Sequence, residues 1–191
     1  MSMDDFQSLV GRLLVAMPGI GDPRFEHAVI LICAHGPDHA MGLRLDRPAP
    51  GVDLKKVLDT LKTEAPDAAS ARMVLVGGPV ERERGFVLHT DDWMIADASM
   101  PFAEGLAMTG TREALAAMVD PAAGPRRSVL MLGYAGWGEG QLEEELGDNV
   151  WLTADADPAL IFDADYEVKW ARALATLGID PANLSGQAGR A

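Results

Sequence analysis

The segment from Met131 to Leu146, MLGYAGWGEGQLEEEL, contains residue types that often form a catalytic or phosphate-binding turn. It is not a P-loop, because no lysine followed by serine or threonine comes after the glycines. It is not a dinucleotide-binding fingerprint, because Gln141 stands where the third glycine belongs. It is not a nucleophile elbow, because Ala135 occupies the serine position. Two interpretations are left: a tight strand-to-helix turn, or a ligand pocket beside that turn.

The turn interpretation accounts for the glycines and for the acidic residues that follow them. Glycine permits positive φ and close approach of the backbone, and carboxylates near the start of a helix are favoured by the helix dipole. It predicts a buried strand over Val129 to Tyr134, a helix beginning near Gly138, and positive φ at Gly136 or Gly138.

The pocket interpretation places a small molecule near the GGPV and GYAGWGEGQL segments. Aromatic side chains would form its walls, and polar side chains would orient the ligand. The residues predicted to line it are Gly78, Pro79, Tyr134, Trp137, Gln141, Glu145 and Asn149.

The segment CAHGPDH brings Cys33, His35 and His39 close together, with Cys33 and His35 on one face of a strand. A metal site would need a fourth ligand or an open position, and the chain offers no obvious further pair. We therefore predict a buried Cys33 thiol without a metal, and no cofactor. His89 is expected to make structural hydrogen bonds. The catalytic residues are unknown, and whether the protein is an enzyme is left open.

The balance of charge argues against nucleic acid and anionic membranes as partners. Among 191 residues, 16 are Lys or Arg and 29 are Asp or Glu, which gives a formal net charge of −13. Such a surface repels phosphate groups. The single cysteine excludes an internal disulfide and fits a reducing compartment. The N-terminus carries acids where a signal peptide needs basic residues, and no apolar run suits a membrane span. A cytoplasmic location is expected.

The hydrophobic pattern predicts several buried strands and four helices. Strands are expected in GRLLVAMPG, AVILICA, AMGLRLDRP, RMVLVGGPV, GFVLHT, RSVLMLGY and NVWLTA, with the second and third forming a hairpin and ERER forming a solvated hairpin turn. Helices are expected over Asp53–Glu64, Thr111–Val119, Gly138–Leu146 and Asp165–Leu177. This order indicates a mixed sheet with helices against it. We predict one domain over 1–191, with an N-terminal segment at 1–10 and an irregular tail at 180–191.

Taken together, these blocks resemble the AlgH/YqgE family of bacterial proteins from about Leu13 to Ala191. The resemblance rests on LLVAMPGIGDPRFEHAVILICAH, LVGGPVERERGFVLH, LGYAGWGEGQLEEEL and GIDPANLSGQAGRA, in that order. It implies a single α/β (α+β) domain with a strongly twisted, partly barrel-like mixed sheet and flanking helices. Members are often labelled transcriptional regulators because of a link to alginate production, and no activity or ligand is generally established. Asp46 and Arg190 depart from the Asn and His that are common there.

Three functional hypotheses follow. The first is a regulatory or interaction module that acts through a protein partner. The second is a small-ligand-binding protein or an unrecognised enzyme that uses the predicted pocket. The third, ranked below both, is a regulator that binds DNA directly, because the helix at Gly138–Leu146 is acidic and no predicted helix is rich in Arg or Lys. The sequence leaves the ligand, the partner and the oligomeric state open.

Overall fold

The computed structural model describes residues 7–184. The chain divides into two compact units: one contains the residues up to Asp46 together with those from Ala135 onward, and the other contains Arg47–Tyr134. Both units contain strands and helices. The expected class, a mixed sheet with flanking helices in an α+β fold, is confirmed. A single domain over 1–191 stays a prediction.

Ten strands form within residues 7–184. They are β1 (Arg12–Ala16), β2 (Val29–His35), β3 (His39–Arg44), β4 (Pro48–Asp53), β5 (Met73–Val76), β6 (Val80–Thr90), β7 (Ser99–Ala103), β8 (Leu106–Thr109), β9 (Ser128–Gly138) and β10 (Trp151–Asp155).

The α-helices of the same residues are α1 (Leu54–Thr60), α2 (Arg112–Ala117), α3 (Gln141–Gly147), α4 (Pro158–Ile161) and α5 (Lys169–Thr176). The four predicted helices, α1, α2, α3 and α5, are shorter than the sequence predicts at one or both ends, and α4 was not predicted. Short 3₁₀ helices cover Pro23–Phe25, Asp67–Ala71 and Pro181–Asn183. No helix in the described part of the chain is both long and apolar enough to cross a membrane.

The first unit is an antiparallel sheet in the order β10-β1-β2-β3, completed by the last residues of β9. The β2–β3 hairpin is confirmed, and the continuous apolar run of β2 is explained by its burial. Helix α5 packs against β1, β2 and β10, and α3 packs against β10. The core is centred on Leu14, Ile30, Trp137 and Trp151.

The second unit holds a mixed sheet. Strand β5 lies parallel to the first part of β9 and antiparallel to β4, and on the other side β9 continues antiparallel through β6, β8 and β7. Helices α1 and α2 supply Leu54, Leu58 and Ala114 to a core that also contains Val74 and Leu130. Asp53, where the sequence predicts this helix to begin, caps α1, since its side chain accepts a hydrogen bond from the Lys56 amide.

Strand β9 confirms the predicted buried strand and extends it to Gly138, so that the following helix begins only at Gln141. The prediction of positive φ at Gly136 or Gly138 is wrong. Both pair with β3 in extended conformation, and the left-handed glycines of this stretch are Gly133 and Gly140, with φ of 71° and 69°. Gly140 precedes α3, where it turns the chain into the helix.

Gly133 lies under a close crossing of the backbone. A Cβ atom at this position would be 2.7 Å from the Val80 carbonyl oxygen and 2.8 Å from that of Gly78. Around this point β6 is bulged: Val80 pairs with Tyr134 and Gly85 with Leu132, so residues 81–84 stand opposite Gly133 alone. The ERER segment is therefore a bulge inside β6, and the prediction of a hairpin turn is wrong.

We predict that Gly133→Ala destabilises the protein strongly, because it combines positive φ with contact against two backbone carbonyls that cannot move independently. We expect the free energy of unfolding, measured by urea denaturation, to fall by roughly 1–3 kcal/mol. The matched control is Gly138→Ala in the same strand, where the nearest atom to an added Cβ is at 4.0 Å. If the two variants unfold at the same urea concentration, the backbone crossing does not require a glycine at position 133.

Candidate functional site

The residues predicted to line a pocket are divided between the two units. The second unit contains Gly78, Pro79 and Tyr134, and the first unit contains Trp137, Gln141, Glu145 and Asn149. Their assignment to one pocket stays a prediction.

In the second unit, the GGPV segment and Tyr134 meet at the start of β6. Val80 pairs with Tyr134 across the ladder, and the Tyr134 ring packs edge-to-face on Phe86 with 6.2 Å between ring centres. Gly78 is buried and its carbonyl oxygen faces Gly133. The Gly78 carbonyl is therefore part of the backbone crossing over Gly133.

In the first unit, Glu145 organises the aromatic residues around α3. One carboxylate oxygen accepts hydrogen bonds from the indole N–H groups of Trp137 at 2.8 Å and Trp151 at 2.7 Å. The other accepts from the Gln141 side-chain amide at 2.8 Å. The two indoles are also in edge-to-face contact at 6.1 Å. Three donors thus converge on one carboxylate, which ties α3 to β9 and β10.

Gln141 and Asn149, which were also predicted to line the pocket, have local structural roles. The Gln141 side-chain oxygen accepts a hydrogen bond from the Gly138 amide at 3.1 Å. Asn149 adopts positive φ just after α3, and the Val150 amide donates to the Glu145 carbonyl at 2.9 Å, which ends the helix. In this structure Gln141 and Asn149 shape the turn and the helix end.

His35 and Cys33 have separate roles. The Leu9 amide donates to His35 Nδ1 at 3.0 Å, and Nε2 lies 2.7 Å from a Glu143 carboxylate oxygen. The proton is therefore on Nε2, and the imidazole joins the chain start to α3. Cys33 is buried, as predicted, and burial raises the pKa of its thiol to about 12. Within residues 7–184, no group of three or more His, Cys, Asp or Glu side chains is arranged for a metal ion.

His89 is fully buried in the second unit and joins three strands through hydroxyl groups. Its Nδ1 donates to the Thr90 carbonyl at 3.0 Å, and its Nε2 accepts from the Thr109 hydroxyl at 2.8 Å. The Ser99 hydroxyl lies 2.6 Å from that of Thr109. Burial lowers the pKa of His89 and keeps the ring neutral. These contacts agree with the predicted structural role.

A buried set of charges in the first unit was not predicted. Arg44 and Asp46 form an ion pair of 2.7 Å with both side chains only 8% exposed. Asp46 also accepts from the Val29 amide at 2.9 Å, so the departure from Asn supplies a full counter-charge to Arg44. Lys169 is fully buried, and its Nζ donates to the Ile161 carbonyl at 3.0 Å. The other departure, Arg190, lies outside the described residues.

The candidate ligand site lies in the second unit, and none of the seven predicted pocket residues lines it. It is an open groove of about 370 Å³, here called the α1 groove. Its polar lining is Lys56, Thr60 and Glu83. Its apolar lining consists of Val52, Val57, Leu61, Leu115, Leu130 and Leu132.

One wall of the α1 groove contains a residue without a side chain. Gly85 lines it, and a Cβ atom there would lie 3.5 Å from Leu130 Cδ1 and 4.0 Å from Leu132 Cδ2, which are ordinary contacts. Leu54, Val57, Leu58 and Leu61 have the helical spacing of one apolar stripe. Of these, Leu54 and Leu58 are buried, whereas Val57 and Leu61 are half-buried and line the groove. The spacing of these apolar residues therefore does not distinguish a groove wall from a stripe that faces the core.

The Glu145 contacts predict that Glu145→Gln destabilises the protein. A glutamine offers one oxygen and brings its own N–H donors, so at least one of the three donors loses its acceptor. We expect a loss on the order of 1–3 kcal/mol in the free energy of unfolding, measured by denaturation followed through tryptophan fluorescence. Glu144→Gln, an exposed neighbour on α3, is the control and should be near neutral. Equal effects would contradict the role of Glu145.

The lowered pKa of Lys169 predicts that the free energy of unfolding rises with pH in the alkaline range. Burial lowers its pKa from 10.5 to about 8, against the attraction of Asp163 and Asp46. Between pH 8 and 10.5 the unfolded chain therefore binds more protons than the folded one, and stability rises with pH in that window. Relative to Lys169→Met, the wild-type protein should gain up to about 3 kcal/mol across it, measured by urea denaturation.

The control for that experiment is Lys55→Met, which removes a lysine from α1 and should keep the wild-type pH dependence. Identical pH dependence of the wild-type protein and Lys169→Met would mean that Lys169 stays charged in the folded state.

Comparisons with known proteins agree with this architecture. The family model described as AlgH-like matches residues 13–182. A UPF0301 protein of Caulobacter vibrioides is 57% identical over 98% of this chain and 96% of its own. One from Ruegeria pomeroyi is 50% identical over 96% and 99%. These names state no activity.

Two solved structures are similar to this one. The solution structure of the AlgH protein from Pseudomonas aeruginosa has a TM-score of 0.78 and 39% identity, and covers 100% of both chains. The crystal structure of protein DIP2367 from Corynebacterium diphtheriae has a TM-score of 0.68 and 22% identity, with 89% and 87% coverage, and shows the fold alone. The resemblance inferred from the sequence is confirmed, and the chain belongs to the AlgH-like family.

Proposed function

We propose that this protein binds a small, largely apolar molecule in the α1 groove. The observation that carries the proposal is the groove itself, about 370 Å³ in volume and walled by half-buried aliphatic side chains. Ligand sites in proteins are about 300–1,000 Å³, mostly apolar, with a few polar groups. Apolar walls left accessible to water are stabilised when a ligand covers them.

The position of the groove on regular elements supports specific binding. Val57 and Leu61 come from α1 and its end, Leu115 from α2, and Leu132 from β9. Side chains held on helices and strands keep the shape of a site better than those on loops. The names of the AlgH-like relatives do not favour any of the functional hypotheses. The proposal therefore rests on the groove.

A protein partner is the second candidate. It is favoured by three exposed methionines of the second unit, Met73, Met94 and Met100, which are 39%, 42% and 55% exposed. Methionine is frequent on surfaces that accept partners of variable shape. Direct DNA binding ranks below both candidates because the net charge is −13. A cytoplasmic location stays an expectation that rests on the single cysteine.

The proposal predicts that a neutral apolar probe binds the wild-type protein and not a variant with a filled groove. N-phenyl-1-naphthylamine becomes fluorescent in apolar sites, and n-octanol should displace it. Gly85→Val places a branched side chain against Leu130 and Leu132 without a backbone clash. We expect at least a tenfold loss of probe affinity, about 1.4 kcal/mol, with little change in melting temperature.

The control variant is Gly21→Val in the first unit, where an added Cβ meets no atom within 4 Å. It should bind the probe as the wild-type protein does. If Gly85→Val binds the probe with unchanged affinity, the α1 groove is not the binding site. If the wild-type protein binds neither probe nor octanol, the small-ligand function is wrong and a protein partner becomes the first candidate.

A further inference from the structure

The α1 groove has charged groups at its rim, and most of their bonding capacity is used within the protein. Lys56 Nζ donates to the Gly51 carbonyl at 2.8 Å and lies 3.6 Å from an Asp53 carboxylate oxygen. The Thr60 hydroxyl donates to the Lys56 carbonyl at 2.8 Å. The positive charge of Lys56 is therefore already balanced by the residues that begin α1.

Glu83 differs from these two. It lines the groove and is exposed, and within residues 7–184 it has no ion-pair or hydrogen-bond partner. Its neighbours in the β6 bulge are engaged elsewhere: Arg84 pairs with Glu81 at 3.0 Å and lies over the Phe86 ring at 4.9 Å. Glu83 is thus the lining residue whose charge is left for a ligand.

We propose that the ligand of the α1 groove carries a cationic group, such as a primary ammonium, on an apolar body. This inference rests on the small-ligand function proposed above and names the class of ligand. The apolar body contacts the aliphatic walls, and the cationic group pairs with the Glu83 carboxylate at the rim. The acidic surface of the protein, with a net charge of −13, attracts the same class of molecule from solution.

The size of the preference follows from the position of Glu83. A charge pair at an exposed rim contributes little, so a cationic ligand should bind only about two- to fivefold more tightly than a neutral one of the same shape. An anionic ligand is repelled by the same carboxylate. The difference between the cationic and the anionic ligand is therefore larger, on the order of tenfold.

The test uses three molecules with one apolar body: n-octylamine, n-octanol and n-octanoate. Dissociation constants are measured at neutral pH by competition with N-phenyl-1-naphthylamine, for the wild-type protein and two variants. Glu83→Gln removes the proposed recognition group. Glu104→Gln removes an equal charge from an exposed position of the same unit that does not line the groove, so it controls for the net charge.

We expect the order octylamine, octanol, octanoate from tightest to weakest, a reduced spread in Glu83→Gln, and an unchanged spread in Glu104→Gln. Octanol should bind all three proteins equally. If octanol binds and octylamine is no tighter than octanoate, the cationic class is wrong and the small-ligand function stands. The same holds if octanoate binds most tightly, or if both variants reduce the spread equally. If octanol does not bind at all, the small-ligand function itself fails.

Discussion

The crossing of the Gly78–Arg82 backbone over Gly133 is the constraint on which the second unit depends. Gly133 has positive φ and two carbonyl oxygens within 2.8 Å of the place where a Cβ would be. The ladder between β6 and β9 cannot continue regularly past such a point, and residues 81–84 bulge opposite it. The bulge sets the place of Glu83 at the rim of the α1 groove. A backbone requirement in one strand thus determines the position of a charged residue beside the candidate ligand site.

Many residues that suggest chemistry in the sequence are used for structure. The acidic run after the glycines includes Glu145, whose carboxylate accepts hydrogen bonds from the indole N–H groups of the buried Trp137 and Trp151 and from the exposed Gln141 amide. Without Glu145 the two buried indoles would lose this acceptor. His35 and His89 each have both ring nitrogens engaged. Leaving such groups without partners in the interior costs free energy. Their residue types therefore reflect the need to satisfy donors, and the candidate site lies elsewhere.

The parts of the fold that follow from local physics could be predicted from the sequence. Periodicity and burial identify the β2–β3 hairpin, the first part of β9 and the apolar stripe of α1, and Asp53 marks the start of that helix. Strand β4 could not be predicted, because Pro48, Pro50 and Gly51 are poor strand residues. It pairs with β5 only at Pro48 and Asp53, with a register shift between them. The glycine with positive φ could not be identified from the sequence either. The backbone of residues 78–82, which is distant in the sequence, is what requires a glycine at position 133.

The α1 groove could not be predicted from the sequence, because its volume depends on which side chains face each other in the folded protein. Val57 and Leu61 have the spacing of core residues, and Gly85 alone gives no sign that its missing side chain lies opposite them. Lys169 is a similar case, since a lysine in an amphipathic helix normally indicates a surface position and here it is fully buried.

The groove also has a consequence for how relatives of this protein can diverge. Gly85 lines the groove, and an added Cβ there would make ordinary contacts with Leu130 and Leu132, so the backbone need not move. Alanine, valine or leucine at position 85 would shorten the accessible space in steps. Alanine and valine are each one nucleotide change away from a glycine codon, so such a change could alter which molecules fit while the rest of the core is inherited intact. Selectivity for ligand size and thermal stability would then be free to evolve independently.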